Sequence, residues 1–127
     1  MATKTIYLTT PQKNDFLFWT VATQCFNLGT VIIRDDATLY ATIRKTSTST
    51  SLQVLEQSTK QYTGTKGLRV EIDIPASDHI KVASEAVQPI EAGGKTVGCC
   101  YNFCIEDYID EDYNDFYINI VSWNKKW

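Results

Sequence analysis

Residues 68–74 read Leu-Arg-Val-Glu-Ile-Asp-Ile, a stretch in which apolar side chains alternate strictly with charged ones. Successive side chains of an extended chain point to opposite faces, so this pattern predicts a strand with one buried face and one solvated face. The same period occurs at residues 16–21, where Phe16 and Phe18 alternate with Leu17 and Trp19. Such strands are typical of antiparallel sheets that pack one face on a core.

Further alternating runs extend this pattern along most of the chain, at residues 4–9, 29–34, 38–45, 52–57, 80–83, 96–105 and 116–123. Turn-forming pairs such as Asp35-Asp36 and Gly93-Gly94 separate them, and only residues 83–87 suggest a helical turn. A parallel α/β fold needs helices that this pattern lacks. We therefore predict an all-β fold, an antiparallel β-sandwich of about nine short strands with Greek-key-like connections.

Length and charge indicate a single domain and argue against nucleic acid and membranes as partners. A chain of 127 residues with 43% hydrophobic residues can form one core, so residues 1–127 are expected to be a single domain. The net charge is −3 and there is no run of Lys or Arg, which argues against nucleic acid as a partner. The apolar runs are too short for membrane insertion, and the first residues carry no signal-peptide pattern. The expected location is the cytoplasm, or outside the cell by a route without a signal peptide.

The cysteines and the single histidine do not suggest catalysis. Cys25, Cys99, Cys100 and Cys104 include no C-x-x-C pair, so a zinc or dithiol site is not predicted. Cys100 and Cys104 should share one face of a strand with Cys99 on the other, as small apolar residues packed on both faces of a sheet. His79 stands alone in a predicted turn, which argues against a catalytic triad.

Residues 106–115, Glu-Asp-Tyr-Ile-Asp-Glu-Asp-Tyr-Asn-Asp, hold six of the 15 carboxylates and no Lys or Arg. Like charges this close raise each other's pKa and destabilise the compact state, so a bound cation is expected. Asp110, Asp112 and Asn114 alternate, a spacing that lets their oxygens converge on one hard cation, and ligands that are all oxygen favour Ca²⁺ over zinc or copper. The alternative is a solvated acidic hairpin without an ion.

The segment is not an EF-hand. Asp115 stands where that loop needs Gly, and Val121 stands where it needs the bidentate Glu. Six carboxylates are also more than one ion requires. This number is compatible with two adjacent Ca²⁺ ions that share bridging carboxylates.

The same ten residues, followed by an apolar strand and Trp123, resemble the signature Glu-Asp-x-x-Asp-x-Asp-Tyr-Asn-Asp of the calcium-dependent fucose- and mannose-binding bacterial lectins typified by the second Pseudomonas lectin. Residues 6–11 and 67–74 are similar to that family more weakly. The resemblance implies a small β-sandwich in which two neighbouring calcium ions directly ligate the hydroxyls of a monosaccharide, so that the partner is a carbohydrate or glycoconjugate.

The resemblance also implies a role for each matching residue. One ion would be surrounded by Glu106, Asp110, Asp112 and Asp115, and the other would be reached by Asp112, Asn114 and Asp115. The sugar would contact Asp107, together with Asp110, Asp112 and Asp115. The family has a further calcium ligand, an Asn near the end of the second strand, and the position closest to it is Thr23, with Asn27 a few residues on. We therefore add Thr23 to the predicted sugar-binding residues.

Chain termini matter in this family, because the carboxylate of a C-terminal Gly completes the calcium site of a partner subunit. The present sequence instead ends Asn124-Lys125-Lys126-Trp127. A homodimer or tetramer is therefore an expectation, and the exchange of a terminal ligand between subunits is left open.

The predicted function is that of a non-enzymatic lectin. One alternative is a structural or adhesive β-domain that uses calcium only to stabilise its acidic loop and has no sugar site. Another is a glycoside hydrolase, which would need one carboxylate set apart as a protonated acid, and the sequence distinguishes none. Phe16, Phe18 and Trp19 are expected to pack in the core rather than to form a sugar-stacking platform.

Overall fold

The computed structural model describes residues 2–107 and 115–124. No helix among them is long and apolar enough to cross a membrane. These residues form nine strands: β1 (Ala2–Tyr7), β2 (Phe16–Thr23), β3 (Gly29–Arg34), β4 (Leu39–Lys45), β5 (Gln53–Gln61), β6 (Arg69–Ile74), β7 (Lys81–Val87), β8 (Gly98–Glu106) and β9 (Phe116–Trp123).

The strands form two antiparallel sheets, which confirms the predicted all-β sandwich. One sheet has the order β1-β6-β3-β4, and the other has the order β5-β2-β9-β8-β7. In the second sheet the consecutive strands β7, β8 and β9 lie side by side, and β2, from which a long connection leads to β7, lies beside β9. This is a Greek-key arrangement.

The core lies between the two sheets and consists of the inward-facing side chains of the alternating runs. In β2 these are Leu17, Trp19 and Val21, and in β6 they are Val70, Ile72 and Ile74, all of them fully or almost fully buried. Each such side chain contributes roughly 1.5 to 3 kcal/mol by leaving water. The alternation in the sequence therefore corresponds directly to the inner and outer faces of the sheets.

The prediction for the aromatic residues of β2 is right for Trp19 and wrong for Phe16 and Phe18. Trp19 lies in the core, whereas the other two are half-buried on the outer face of the five-stranded sheet. The period of two explains this, because residues that alternate with Leu17 and Trp19 must point the other way. On that outer face the ring of Phe16 lies 5.7 Å from the ring of Trp123, between centroids.

The suggested helical turn at residues 83–87 is also wrong, because these residues belong to β7. They pair with β8 from Ala83 opposite Cys104 to Val87 opposite Cys100. β7 is an edge strand whose side chains are largely exposed, so its hydropathy pattern is weak. Pairing with β8 therefore decides its structure, and local propensity does not.

The cysteines of β8 follow the predicted alternation. Cys99 is buried in the core, while Cys100 and Cys104 share the outer face and are half-buried. All four cysteines are free thiols. The prediction that they pack as small apolar residues on both faces of a sheet is confirmed.

The register of the five-stranded sheet brings three chain segments to one end of the sandwich. β8 ends at Glu106, and β9 begins at Phe116, which pairs with Ile105 of β8 and with Thr23 of β2. The chain after β2, the chain after β8 and the chain before β9 therefore meet at one end of the sheet. The candidate functional site lies there.

Candidate metal and ligand site

Three carboxylates from the two ends of the acidic segment meet at this edge of the sheet. Glu106 is the last residue of β8, Asp107 follows it, and Asp115 comes directly before β9. All three side chains are buried. The backbone holds them together, since the Asp115 N–H donates to the carbonyl of Ile105 at 3.1 Å and the Asp107 N–H donates to Oδ2 of Asp115 at 2.6 Å. We call Glu106, Asp107 and Asp115 the carboxylate cluster.

The electrostatics of the cluster disfavour the ionisation of all three carboxyl groups at once. Burial, a hydrogen bond shared with Glu106 and the nearby charge of Asp107 together raise the pKa of Asp115 to about 8, against a smaller lowering by the hydrogen bond from the Asp107 N–H. Near neutral pH the isolated protein therefore keeps a proton on a group that is ionised in water. A cation among these oxygens would take the place of that proton.

Lys45 supplies some positive charge nearby. Its side chain is buried, and its ammonium group donates to the carbonyl of Ser47. It also lies close enough to lower the pKa of the Cys25 thiol. This ammonium carries one positive charge, so it would balance the cluster only in part if all three carboxyl groups were ionised.

Cys25 lies beside the cluster, and its sulfur atom and one oxygen each from Asp107 and Asp115 are within 4.8 Å of one another. Burial raises the pKa of the thiol above its ordinary value, although a hydrogen bond with Thr23 opposes this. Cys25 is therefore protonated at neutral pH and is a poor ligand for a hard cation.

Thr23 lies beneath the cluster. Its side chain is completely buried, and its hydroxyl donates to the backbone carbonyl of Asp115 and lies 3.3 Å from the sulfur of Cys25. The end of β2 thus fixes the start of β9 through one side-chain hydrogen bond. Its predicted contact with a sugar stays a prediction, and it requires the sugar to reach a buried hydroxyl.

Two side chains from other parts of the chain hold Asp107. Nδ2 of Asn27, in the loop after β2, donates to Oδ2 of Asp107 at 2.8 Å. The hydroxyl of Ser77, in the loop after β6, lies between the carbonyl oxygen of Asp107 and that of His79, the latter at 2.6 Å. Asp107 is therefore oriented both through its carboxylate and through its backbone.

The donor set fits a hard divalent cation. The described part of the site offers carboxylate oxygens from Asp107 and Asp115, and from Glu106 through its hydrogen bond with Asp115. The sulfur of Cys25 belongs to a protonated thiol. Oxygen donors of this kind suit calcium, magnesium or manganese rather than zinc or copper. The raised pKa of Asp115 reflects the burial of several carboxyl groups side by side in this site.

The structure therefore brings together four of the residues predicted from the sequence: Glu106, Asp107, Asp115 and Thr23. The other three, Asp110, Asp112 and Asn114, lie outside the described residues, and their roles stay predictions.

The sequence prediction left Cys25, Asn27 and Ser77 out of the site. Asn27 could have been predicted from the sequence, because it is the first Asn after β2 and lies near the position where the family has an Asn that ligates calcium. Ser77 could not, because nothing in residues 75–80 indicates that its hydroxyl would contact a residue 30 positions further on.

Comparisons with known proteins support the fold. A scan against known protein families finds no match, and no curated protein sequence matches the chain significantly. Several solved structures are similar. The high-affinity mannose-binding lectin of Ralstonia solanacearum superposes with a TM-score of 0.63 at 19% identity, over 92% of this chain and 95% of that one. The C-terminal domain of the BC2L-C lectin from Burkholderia cenocepacia gives 0.65 at 19% identity, over 98% of each chain.

A third similar structure is the Chromobacterium violaceum lectin CV2L in complex with alpha-methyl-fucoside, with a TM-score of 0.57 and 18% identity over 96% of each chain. The chain thus shares its fold, over nearly its whole length, with bacterial lectins that bind sugars. The resemblance that the acidic segment indicated is confirmed at the level of the fold.

Proposed function

We propose that this protein is a calcium-dependent lectin that binds monosaccharide hydroxyls at the carboxylate cluster and catalyses no reaction. The observation that carries the proposal is the cluster itself, in which three buried carboxylates meet and the pKa of Asp115 is raised to about 8. The similar structures point to the ligand class, since one is a mannose-binding lectin and another is a lectin in complex with a fucoside.

Glu106 and Asp115 would hold the metal from the described part of the chain, and Asp110, Asp112 and Asn114 would complete a two-ion site. Bound calcium supplies charge neutralisation and open coordination positions for a vicinal pair of hydroxyls. We assign Asp107 to the sugar, since a carboxylate accepts strong hydrogen bonds from hydroxyls. Fucose- and mannose-type sugars are the proposed ligands, in line with the resemblance of the acidic segment.

Several neighbouring residues position the site without needing to touch a ligand. Asn27 and Ser77 fix Asp107, and Thr23 fixes the backbone of Asp115. Preorganisation of this kind lowers the ordering cost of binding.

A glycan array probed with and without EDTA tests the proposal. We expect binding to fucosides or mannosides in calcium and none in EDTA, at a temperature where the protein stays folded in both. Asp107→Asn should weaken sugar binding, whereas Glu85→Gln, which changes an exposed acid in the middle of β7, should leave it unchanged. Sedimentation of the same samples tests the predicted homodimer or tetramer.

Two results would count against the proposal. Binding that survives complete removal of calcium would contradict the metal-dependent site. Calcium-dependent stabilisation without binding to any sugar would favour the alternative of a calcium-stabilised structural or adhesive β-domain.

A further inference from the structure

An apolar groove lies beside the carboxylate cluster. Its volume is about 340 Å³, and it is lined by Phe26, Asn27, Leu28, Thr48, Pro75 and Ala76. Phe26 is 62% exposed and Leu28 is 46% exposed, although both are large apolar side chains. Both lie in the loop between β2 and β3, and Pro75 and Ala76 lie in the loop after β6.

The loop that carries Phe26 and Leu28 is fixed at both ends. Cys25 and Gly29 are buried, and the sulfur of Cys25 lies 3.3 Å from the carbonyl oxygen of Asn27. A Cβ atom at Gly29 would lie 2.9 Å from Cζ of Phe116, so the absence of a side chain lets the loop re-enter the sheet at this point. The backbone that carries the two exposed apolar side chains is therefore anchored on both sides.

The groove is continuous with the carboxylate cluster. Asn27 lines the groove and also donates to the carboxylate of Asp107. On the other wall Ala76 is followed by Ser77, whose hydroxyl contacts the backbone carbonyl of Asp107. Both sides of the groove are thus hydrogen-bonded to the residue that we assign to the sugar, so a ligand at Asp107 would lie next to the groove.

We infer that the groove receives an apolar aglycone attached to the sugar, so that the preferred ligands are glycosides with a ring-sized apolar group. This inference rests on the proposed lectin function. A single sugar methyl group would leave most of the volume of about 340 Å³ unfilled, whereas a ring would cover Phe26 and Leu28. Apolar exposure that adjoins a polar anchor is typical of ligand sites.

Calorimetric titration with matched glycosides tests the inference. The calcium-loaded protein is titrated with the methyl and the 4-nitrophenyl α-glycosides of L-fucose and D-mannose. For whichever of the two sugars is bound, we expect the aryl glycoside to bind about tenfold more tightly than the methyl glycoside. This difference corresponds to covering roughly 55 Å² of apolar surface. In Phe26→Ser this ratio should fall to about one, with methyl glycoside affinity and calcium-dependent stabilisation unchanged.

Ile90→Ser is the matched control, since Ile90 is 65% exposed and lies beyond the opposite end of β7 from the cluster. It should keep the tenfold ratio. Two results would show that the groove assignment is wrong while the lectin function stands. In the first, the methyl glycoside binds but the aryl glycoside binds no more tightly to the parent protein. In the second, the tenfold ratio persists in Phe26→Ser. A change in oligomeric state in Phe26→Ser, with no change in the ratio, would show that a second copy covers the groove.

If neither glycoside binds in calcium, the proposed function fails, and the inference fails with it. Equal binding of the aryl glycosides in calcium and EDTA, with no binding of the methyl glycosides, would show an apolar site independent of the sugar. That result would also overturn the inference.

Discussion

Substitution of Asp115 by Asn should remove a pH dependence of stability that the calcium-free protein shows. The carboxyl group of Asp115 is buried, and its pKa is raised to about 8 by burial, by the hydrogen bond with Glu106 and by the charge of Asp107. In the unfolded chain the same group has a pKa of about 3.9. Asn keeps the shape of the side chain and can still accept the hydrogen bond from the Asp107 N–H.

The size of the effect follows from proton linkage. Between the unfolded and folded pKa values the folded protein holds one proton more than the unfolded chain. Its free energy of unfolding therefore falls as pH rises, by about 1.4 kcal/mol per pH unit. For 127 residues the entropy of unfolding is about 0.27 kcal/mol/K, so the melting temperature should fall by about 5 °C per pH unit. Above pH 8 this contribution becomes flat, because Asp115 is then ionised in both states.

Differential scanning fluorimetry in EDTA, from pH 5 to pH 9, measures this effect. Other groups titrate as well, so the quantity of interest is the difference between the parent and Asp115→Asn. We expect the two curves to converge towards low pH and to separate by about 5 °C per unit up to pH 8, with the variant the more stable. Parallel curves would show that Asp115 is already ionised in the calcium-free protein, and would refute the electrostatic account of the cluster.

Three further predictions concern the metal, the division of roles in the acidic segment, and a turn far from the site. Calcium at about a hundred times its dissociation constant should add about 2.7 kcal/mol to the free energy of unfolding, which raises the melting temperature by about 10 °C over EDTA; an unchanged melting curve would argue against a calcium site. Asp112→Asn should weaken calcium binding in calorimetry, while Asp107→Asn should weaken sugar binding and leave the calcium titration nearly intact; equal calcium affinity in Asp112→Asn and the parent would refute the two-ion assignment. Burial raises the pKa of Asp35, but hydrogen bonds from Tyr40, from the backbone of the following turn and from Thr63 outweigh burial, so that the pKa is lowered overall. The ionised Asp35 therefore stabilises the fold above the pKa of the unfolded chain, and this stabilisation is lost as pH falls through the pKa of the folded protein. Asp35→Ala should therefore cost about 3 kcal/mol at pH 7, as measured by urea unfolding, and less below pH 4; a cost independent of pH would contradict this.

The strands of the core could be predicted because their alternation records which face is buried. The bounds of β3 and β9 were predicted to the residue, and those of β6 to within one residue. The ends of β5 and β7 were not predicted correctly. The sequence pattern ended these strands at residues 57 and 83, whereas β5 continues to Gln61 opposite Phe16 and β7 continues to Val87 opposite Cys100. Edge strands have no strictly buried face, so their length depends on the neighbouring strand and leaves little trace in hydropathy.

The candidate site was predictable where its residues are close in sequence. Glu106, Asp107 and Asp115 lie within ten residues, and a hairpin between two apolar strands must bring their ends together. Asn27 and Ser77 are 80 and 30 residues from Asp107, and their contacts depend on how the two sheets pack. Such contacts have no local signature, which is why the apolar groove became visible only in the folded chain.

The most direct test of the account is the affinity for calcium, measured by calorimetry with and without a saturating methyl glycoside. If a sugar binds through the calcium ions, thermodynamic reciprocity requires that the sugar tighten calcium binding by the same factor by which calcium tightens sugar binding. We expect the calcium dissociation constant to fall when methyl α-fucoside or methyl α-mannoside is present, and we expect no heat of sugar binding in EDTA. A calcium dissociation constant that is the same with and without sugar would contradict the proposed lectin site.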